Sequence, residues 1–297
     1  MFRNPLLLAA GQPRTFGSKG GEKESPKEPL TLVTTKDGVT IIKMNNPKKY
    51  NGWTQPMMTA MTNSLLAAGS DPNTKVAIVT AADPYYCAGV DLSGSIQLMA
   101  PSKLHNAIYT SNKALFDQYL NFPKPIIVAV NGPAIGASVT SATLCDAVIA
   151  SKKATFTTPF HRLGVTPEGC SSVHFKKLMG PDVAERMLGK EGWQPTGDEA
   201  AKVGLVTKCV AHEDLEKEAV MLAQQWIKEG RVGRSHMGEK DTKMLLEVNR
   251  KESLDLATAF LSEKFLNAQV TFLESKGKSA TLFKVLIALR PIWSKFI

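Results

Sequence analysis

A chain of 297 residues, 43% hydrophobic and 21% charged, has ordinary globular composition and enough length for a sizeable core. The formal net charge of +9 admits anionic or phosphorylated partners, but the lysines are scattered and no dense Lys/Arg run interleaves with aromatics, which argues against nucleic acid. Four widely spread cysteines (Cys87, Cys145, Cys170, Cys209) show no Cys-x-x-Cys and no metal-like pairing with the five histidines, so reduced thiols in an intracellular compartment are expected.

Met1 to Gly21 carries Arg3, Arg14 and Lys19, and no acidic residue precedes Glu22. With Phe2, Leu6, Leu7, Ala9 and Ala10 on one helical face, it reads as a mitochondrial presequence, and Gly20 to Pro29 as a linker. No run of about eighteen apolar residues occurs, so no transmembrane helix is expected. Leu30–Lys36 and Val39–Met44 alternate around Asp37-Gly38, a hairpin signal. Thr54–Ala68 has helical spacing at Met57, Met58, Met61, Leu65 and Leu66. Val76–Thr80 and Ile126–Val130 are short apolar runs typical of buried strands, with a helix predicted over Ser102–Leu120. Gly136 to Ala142 is a closely packing small-residue helix; Asp146–Ser151, Ala154–Thr158 and Val206–Val210 are further strands. Thr196-Gly197-Asp198-Glu199 has capping-box spacing. From Glu213 the pattern is helical. The whole reads as an α/β body with a helical appendage.

Chemistry concentrates in three stretches. Cys87-Ala88-Gly89-Val90-Asp91 and Asn131-Gly132-Pro133-Ala134-Ile135-Gly136-Ala137 both follow buried strands. Small residues there let peptide N–H groups approach a carbonyl oxygen, although tight strand-to-helix turns explain the same spacing. Val165 to Ser172 holds one carboxylate, Glu168, beside a proline suited to a first helical turn. There it either serves as a base or simply complements the helix dipole.

These stretches, with Thr157-Thr158-Pro159-Phe160, Leu163-Gly164 and Gly204-Leu205-Val206, resemble the crotonase (enoyl-CoA hydratase/isomerase) superfamily. They are most similar to its Δ3,Δ2-enoyl-CoA isomerases, and the resemblance runs from about Leu30 to about Ser275. It implies a spiral of ββα repeats with C-terminal helices that mediate trimer or hexamer formation. It also implies an oxyanion hole from the N–H groups of Ala88 and Ala137, with Cys87 to Asp91 and Gly136-Ala137 around the thioester. The glutamates of hydratases fall on Thr140 and Phe160, neither able to activate water, whereas the isomerase glutamate falls on Glu168. The implied activity is conversion of 3-enoyl-CoA to 2-trans-enoyl-CoA in unsaturated fatty-acid β-oxidation, with no cofactor beyond the CoA of the substrate. Alternatives are a catalytically silent acyl-CoA or protein-binding member, a hydratase, or a dienoyl-CoA isomerase.

The expected division is 1–28 presequence and linker, 29–225 catalytic core, and 226–297 helical region. The last has an amphipathic tail striped by Leu282, Leu286, Leu289 and Trp293, expected to dock on the chain itself or on a neighbouring subunit. A carboxyl end of Ser294-Lys295-Phe296-Ile297 departs from a Ser-Lys-Leu signal and favours the mitochondrial matrix over the peroxisome.

Overall fold

A computed structural model describes residues 28–91, 99–234 and 238–294; the presequence reading and the carboxyl-end reading at Lys295-Phe296-Ile297 lie outside them. The hairpin forms as expected. β1 (Thr31–Lys36) pairs antiparallel with β2 (Val39–Met44), Lys36 opposite Val39, with Asp37 and Gly38 both at positive φ as a two-residue turn demands. Then come α1 (Gln55–Ser70), started by Thr54 accepting the Met57 N–H, β3 (Val76–Ala81) and α2 (Pro101–Leu120). β4 (Ile126–Val130), β5 (Ala134–Ile135), α3 (Ala137–Thr143), β6 (Ala147–Ser151) and β7 (Phe156–Thr157) follow.

One sheet has the order β1-β2-β3-β4-β6, and every pair beyond the first hairpin is parallel. Alongside it runs a short second ladder. Trp53 pairs with Val90, Cys87 with Ala134, and β5 with β7, all in parallel. Each turn of chain thus lays one strand in the large sheet and one short segment in the second layer, which is the expected ββα spiral. The second layer carries both loops of interest.

The central strands are apolar on both faces because both are covered. Ala77, Val79, Val128 and Val148 face the main core, and their neighbours Val76, Ile78, Ile127 and Ile149 face the other side. That far side is covered by a later helix, reached through α4 (Phe160–Leu163), α5 (Ser171–Met179), α6 (Pro181–Leu188), α7 (Gly197–Lys202) and β8 (Lys208–Val210), which adds to the sheet beside β6. α8 (Leu215–Lys228) brings Leu215, Ala219, Ala223 and Trp226 onto the sheet. Burying a large apolar side chain such as Trp226 stabilises by roughly 1.5–3 kcal/mol. The boundary expected between 225 and 226 therefore cuts a core helix; α8 belongs to the sheet. The capping box at α7 is complete, Thr196 Oγ1 accepting the Glu199 N–H and Glu199 Oε2 the Thr196 N–H.

The C-terminal helices α9 (Glu239–Phe260), α10 (Glu263–Ser275) and α11 (Thr281–Trp293) build a third core with Leu104 of α2. The tail docks on its own chain, but through Phe283, Leu286 and Trp293; Leu289, expected in the stripe, is exposed. Among the described residues no helix is long and apolar enough to cross a membrane.

Candidate active site

The loop after β3 is held on both sides. Asn51, wholly buried and at positive φ, accepts the Asn46 N–H and donates to Ala82 O and Tyr85 O. Cys87 donates its N–H to Pro133 O and accepts the Ile135 N–H, so the loop lies against the one after β4. Its Sγ takes the Gly89 N–H at 3.3 Å, and burial pushes the thiol up to about 12. With both backbone groups and the sulfur engaged, Cys87 fixes the loop against its neighbour.

Ala88 is also corrected. Its N–H donates to Tyr50 O at 3.0 Å and is not available to a ligand. The parallel bridge between Trp53 and Val90 explains which donor remains. In such a bridge Trp53 bonds the residues on either side, Gly89 O (2.8 Å) and the Asp91 N–H (3.1 Å), and Val90's own N–H points the other way. It meets no acceptor among the described residues. Gly89 sits at φ +91, and a Cβ there would lie 3.1 Å from Ile135 O, so only glycine lets the two loops touch this closely.

The second expected donor, Ala137, stands at a helix start. Gly136 (φ 63, ψ −126) turns the chain into α3, leaving Ala137 as its first residue. The Ala137 N–H is one of the unpaired donors of a helix start and has no partner among the described residues. Val90 and Ala137 follow by one and two residues the contact between Gly89 and Ile135, so the two donors belong to adjoining loops.

Glu168 differs from its expected setting. Helix α5 begins at Ser171, and Glu168 precedes it in an irregular segment, separated by Gly169 and Cys170, both left-handed at φ 64. The proline signal misled because Pro167 fixes φ in extended loops as readily as in a first turn. A Cβ on Gly169 would lie 2.5 Å from Phe116 Cε1 and 2.6 Å from Thr140 Oγ1. That contact places the Glu168 segment against α3, one helical turn from Ala137. Glu168 is 8% exposed, and no hydrogen bond reaches its carboxylate among the described residues. Burial, with the neighbouring Glu252 adding to it, pushes its carboxyl up to about 8. Thr166 Oγ1, two residues away, is buried without a partner among the described residues.

Thr140 and Phe160 are both buried, and Thr140 abuts the site without an acid to offer. His161 and the Lys48-Lys49 turn are exposed, while His174 Nε2 is spent on Thr143 O at 2.9 Å. Two surface cavities of about 370 and 320 Å³ lie elsewhere; neither is lined by Glu168, Val90 or Ala137.

Glu252 was not singled out from the sequence. It is 5% exposed on α9; its Oε2 accepts the Cys170 N–H at 2.6 Å and its Oε1 the Ser172 N–H at 3.0 Å and the Ser172 hydroxyl. The signal was present: Leu245, Asn249, Glu252, Ser253 and Leu256 share the buried helical face, so three polar residues stand where apolar ones are expected.

The sequence pattern described as Enoyl-CoA hydratase/isomerase matches residues 34–279. Enoyl-CoA delta isomerase 2 of Homo sapiens is 35% identical over 267 residues, 87% of this chain and 67% of that protein. The peroxisomal enoyl-CoA delta isomerase 3 of Mus musculus is 32% identical over 280 residues, 92% of this chain and 87% of that one. A crystal structure of an enoyl-CoA hydratase/isomerase from Pseudoalteromonas atlantica T6c superposes with a TM-score of 0.67 at 24% identity, covering 84% of this chain and 98% of its own. The chain belongs to the enoyl-CoA hydratase/isomerase family.

Proposed function

We propose that the protein moves the double bond of a 3-enoyl-CoA into conjugation, giving 2-trans-enoyl-CoA, within unsaturated fatty-acid oxidation. The observation that carries this reading is a buried carboxylate, Glu168, with no internal hydrogen bond among the described residues. It lies beside a loop pair offering two unpaired N–H groups. The names of the human and mouse relatives support the same reaction class.

The steps follow from charge. Glu168 takes a proton from C2, and the electrons pass through C1 to the thioester oxygen as a dienolate. Donors at Val90 and Ala137 stabilise that oxygen as its charge develops, an effect worth about 3–4 kcal/mol for a single donor. The protonated Glu168 then delivers the proton to C4 and the double bond settles between C2 and C3. A base near 8 suits this cycle, because it must both take and return one proton. Atoms balance without water or redox change, so the CoA of the substrate is the only nucleotide group called for. Thr140, where a water-activating acid would stand by resemblance, disfavours hydration.

The same reading assigns the chain to a homotrimer or hexamer, for which exposed Phe272, Val285, Leu289 and Ile292 offer apolar surface on α10 and α11. The acid-free, arginine-bearing N-terminus supports a mitochondrial address, and the printed name of the mouse relative keeps the peroxisome as the alternative. The test supplies purified protein with 3-enoyl-CoA and, separately, 2-trans-enoyl-CoA. Conjugation of the first with no hydration of the second is expected; hydration, or no turnover of the first, refutes the assignment.

A further inference from the structure

The carboxylate of Glu252 faces the segment that follows Glu168. Each of its oxygens is taken by the chain that leads from Glu168 into α5. That chain turns through two successive left-handed residues, and the second, Cys170, is not a glycine. A non-glycine residue in this conformation persists only where its surroundings hold it. The 2.6 Å bond from the Cys170 N–H to Glu252 Oε2, two residues from Glu168, supplies that hold together with the 3.2 Å bond from Cys170 Sγ to Leu245 O, also on α9.

The same face of α9 grips the other wall. Asn249 Nδ2 donates to Lys113 O and Asp117 Oδ1 on α2, and Asn112 Nδ2 donates to Ser253 Oγ. Phe116 of α2 is the side chain against Gly169. Helix α9 therefore clamps the Glu168 segment from behind and the wall it leans on.

We infer that Glu252 is a positioning residue for Glu168, its carboxylate fixing the Gly169-Cys170 turn and holding a second negative charge behind the base. This rests on the assignment of Glu168 as base. Burial pushes the Glu252 carboxyl itself up to about 7, so the second charge stands above that pH; the titratable groups around it are Glu168, the Cys170 thiol and Asp255 of α9, with Asp117 acting on Cys170. A helix cap alone would stabilise α5 and do no more. The second role is visible in Glu168, whose carboxyl is raised by Glu252 after burial.

Full-length Glu252→Gln, Glu252→Asp and Ser172→Ala variants separate the two. Glutamine removes the charge and turns one acceptor into a donor facing an N–H. We expect kcat on 3-enoyl-CoA to fall roughly 10- to 100-fold with little change in KM, as for a misplaced base. The ascending limb of kcat/KM should move to lower pH, since a lost neighbouring anion makes Glu168 easier to ionise. Aspartate, which keeps the charge, should leave the limb in place, and Ser172→Ala, which keeps the anion and both N–H bonds, should do the same if Glu252→Gln does not fold. In parallel, the carboxyl infrared band of Glu168, isolated as the difference from Glu168→Gln, is titrated in each variant. A lower melting temperature with kcat, limb and band unchanged in Glu252→Gln overturns the inference and leaves the proposed reaction standing. If the wild type turns over no 3-enoyl-CoA, the reaction falls, and the infrared titration alone decides: a downward shift in Glu252→Gln supports the coupling and no shift overturns it.

Discussion

Glu168→Gln should abolish proton transfer while making the folded protein more stable at neutral and alkaline pH. In the fold the Glu168 carboxyl is held near 8 against an ordinary 4.5, so between these values the native state binds a proton that the unfolded chain has released. Stability therefore falls as pH rises through this window. At about 1.4 kcal/mol per pH unit, the burden on the wild type is about 3 kcal/mol at pH 7 and about 5 kcal/mol above pH 8, and vanishes near 4.5. Glutamine removes it, but leaves an amide to bury, which costs about 1–3 kcal/mol at every pH. The diagnostic is thus the slope and not the offset. Urea unfolding of both proteins across this pH range should give curves that diverge in favour of the variant as pH rises. Parallel curves would show that Glu168 ionises as freely in the fold as out of it, and the argument from burial would be wrong.

Gly169→Ala should destabilise by about 2–4 kcal/mol, from the left-handed backbone and from contacts of 2.5 and 2.6 Å with Phe116 and Thr140, seen as a lower melting temperature. Exchanging the Val90 peptide N–H for an ester oxygen should lower kcat roughly 10²- to 10³-fold. The same exchange at Ala88 should cost about 1 kcal/mol of stability and little activity, because that N–H serves Tyr50 O. A catalytic loss at 88 and none at 90 would return the oxyanion hole to Ala88. Trp226→Ala should cost about 3–5 kcal/mol in denaturant unfolding with kcat of the folded fraction unchanged, placing α8 with the sheet.

Patterns set by local chemistry were legible in the chain. The Asp37-Gly38 hairpin, the apolar strands at Val76 and Ile126, the small-residue helix and the Thr196 capping box all stand where periodicity and turn chemistry put them. What long-range contacts decide was not. Which N–H of Cys87 to Val90 stays unpaired depends on Tyr50 and Trp53, residues brought there only by the spiral. The start of α5 was read from Pro167, yet is set by the left-handed pair before it and by Glu252, 82 residues beyond Cys170. Leu289 fits the stripe of α11 by spacing, but the neighbours of that helix favour the face of Phe283 and Leu286.

The central claim is that one carboxylate carries the proton between C2 and C4. It is tested most directly by kcat for conjugation of a 3-enoyl-CoA in the wild type and in Glu168→Gln, each shown to be folded. A loss of roughly 10³-fold or more in the variant is predicted, as befits removal of the sole acid–base group. Near-wild-type turnover by Glu168→Gln would contradict it.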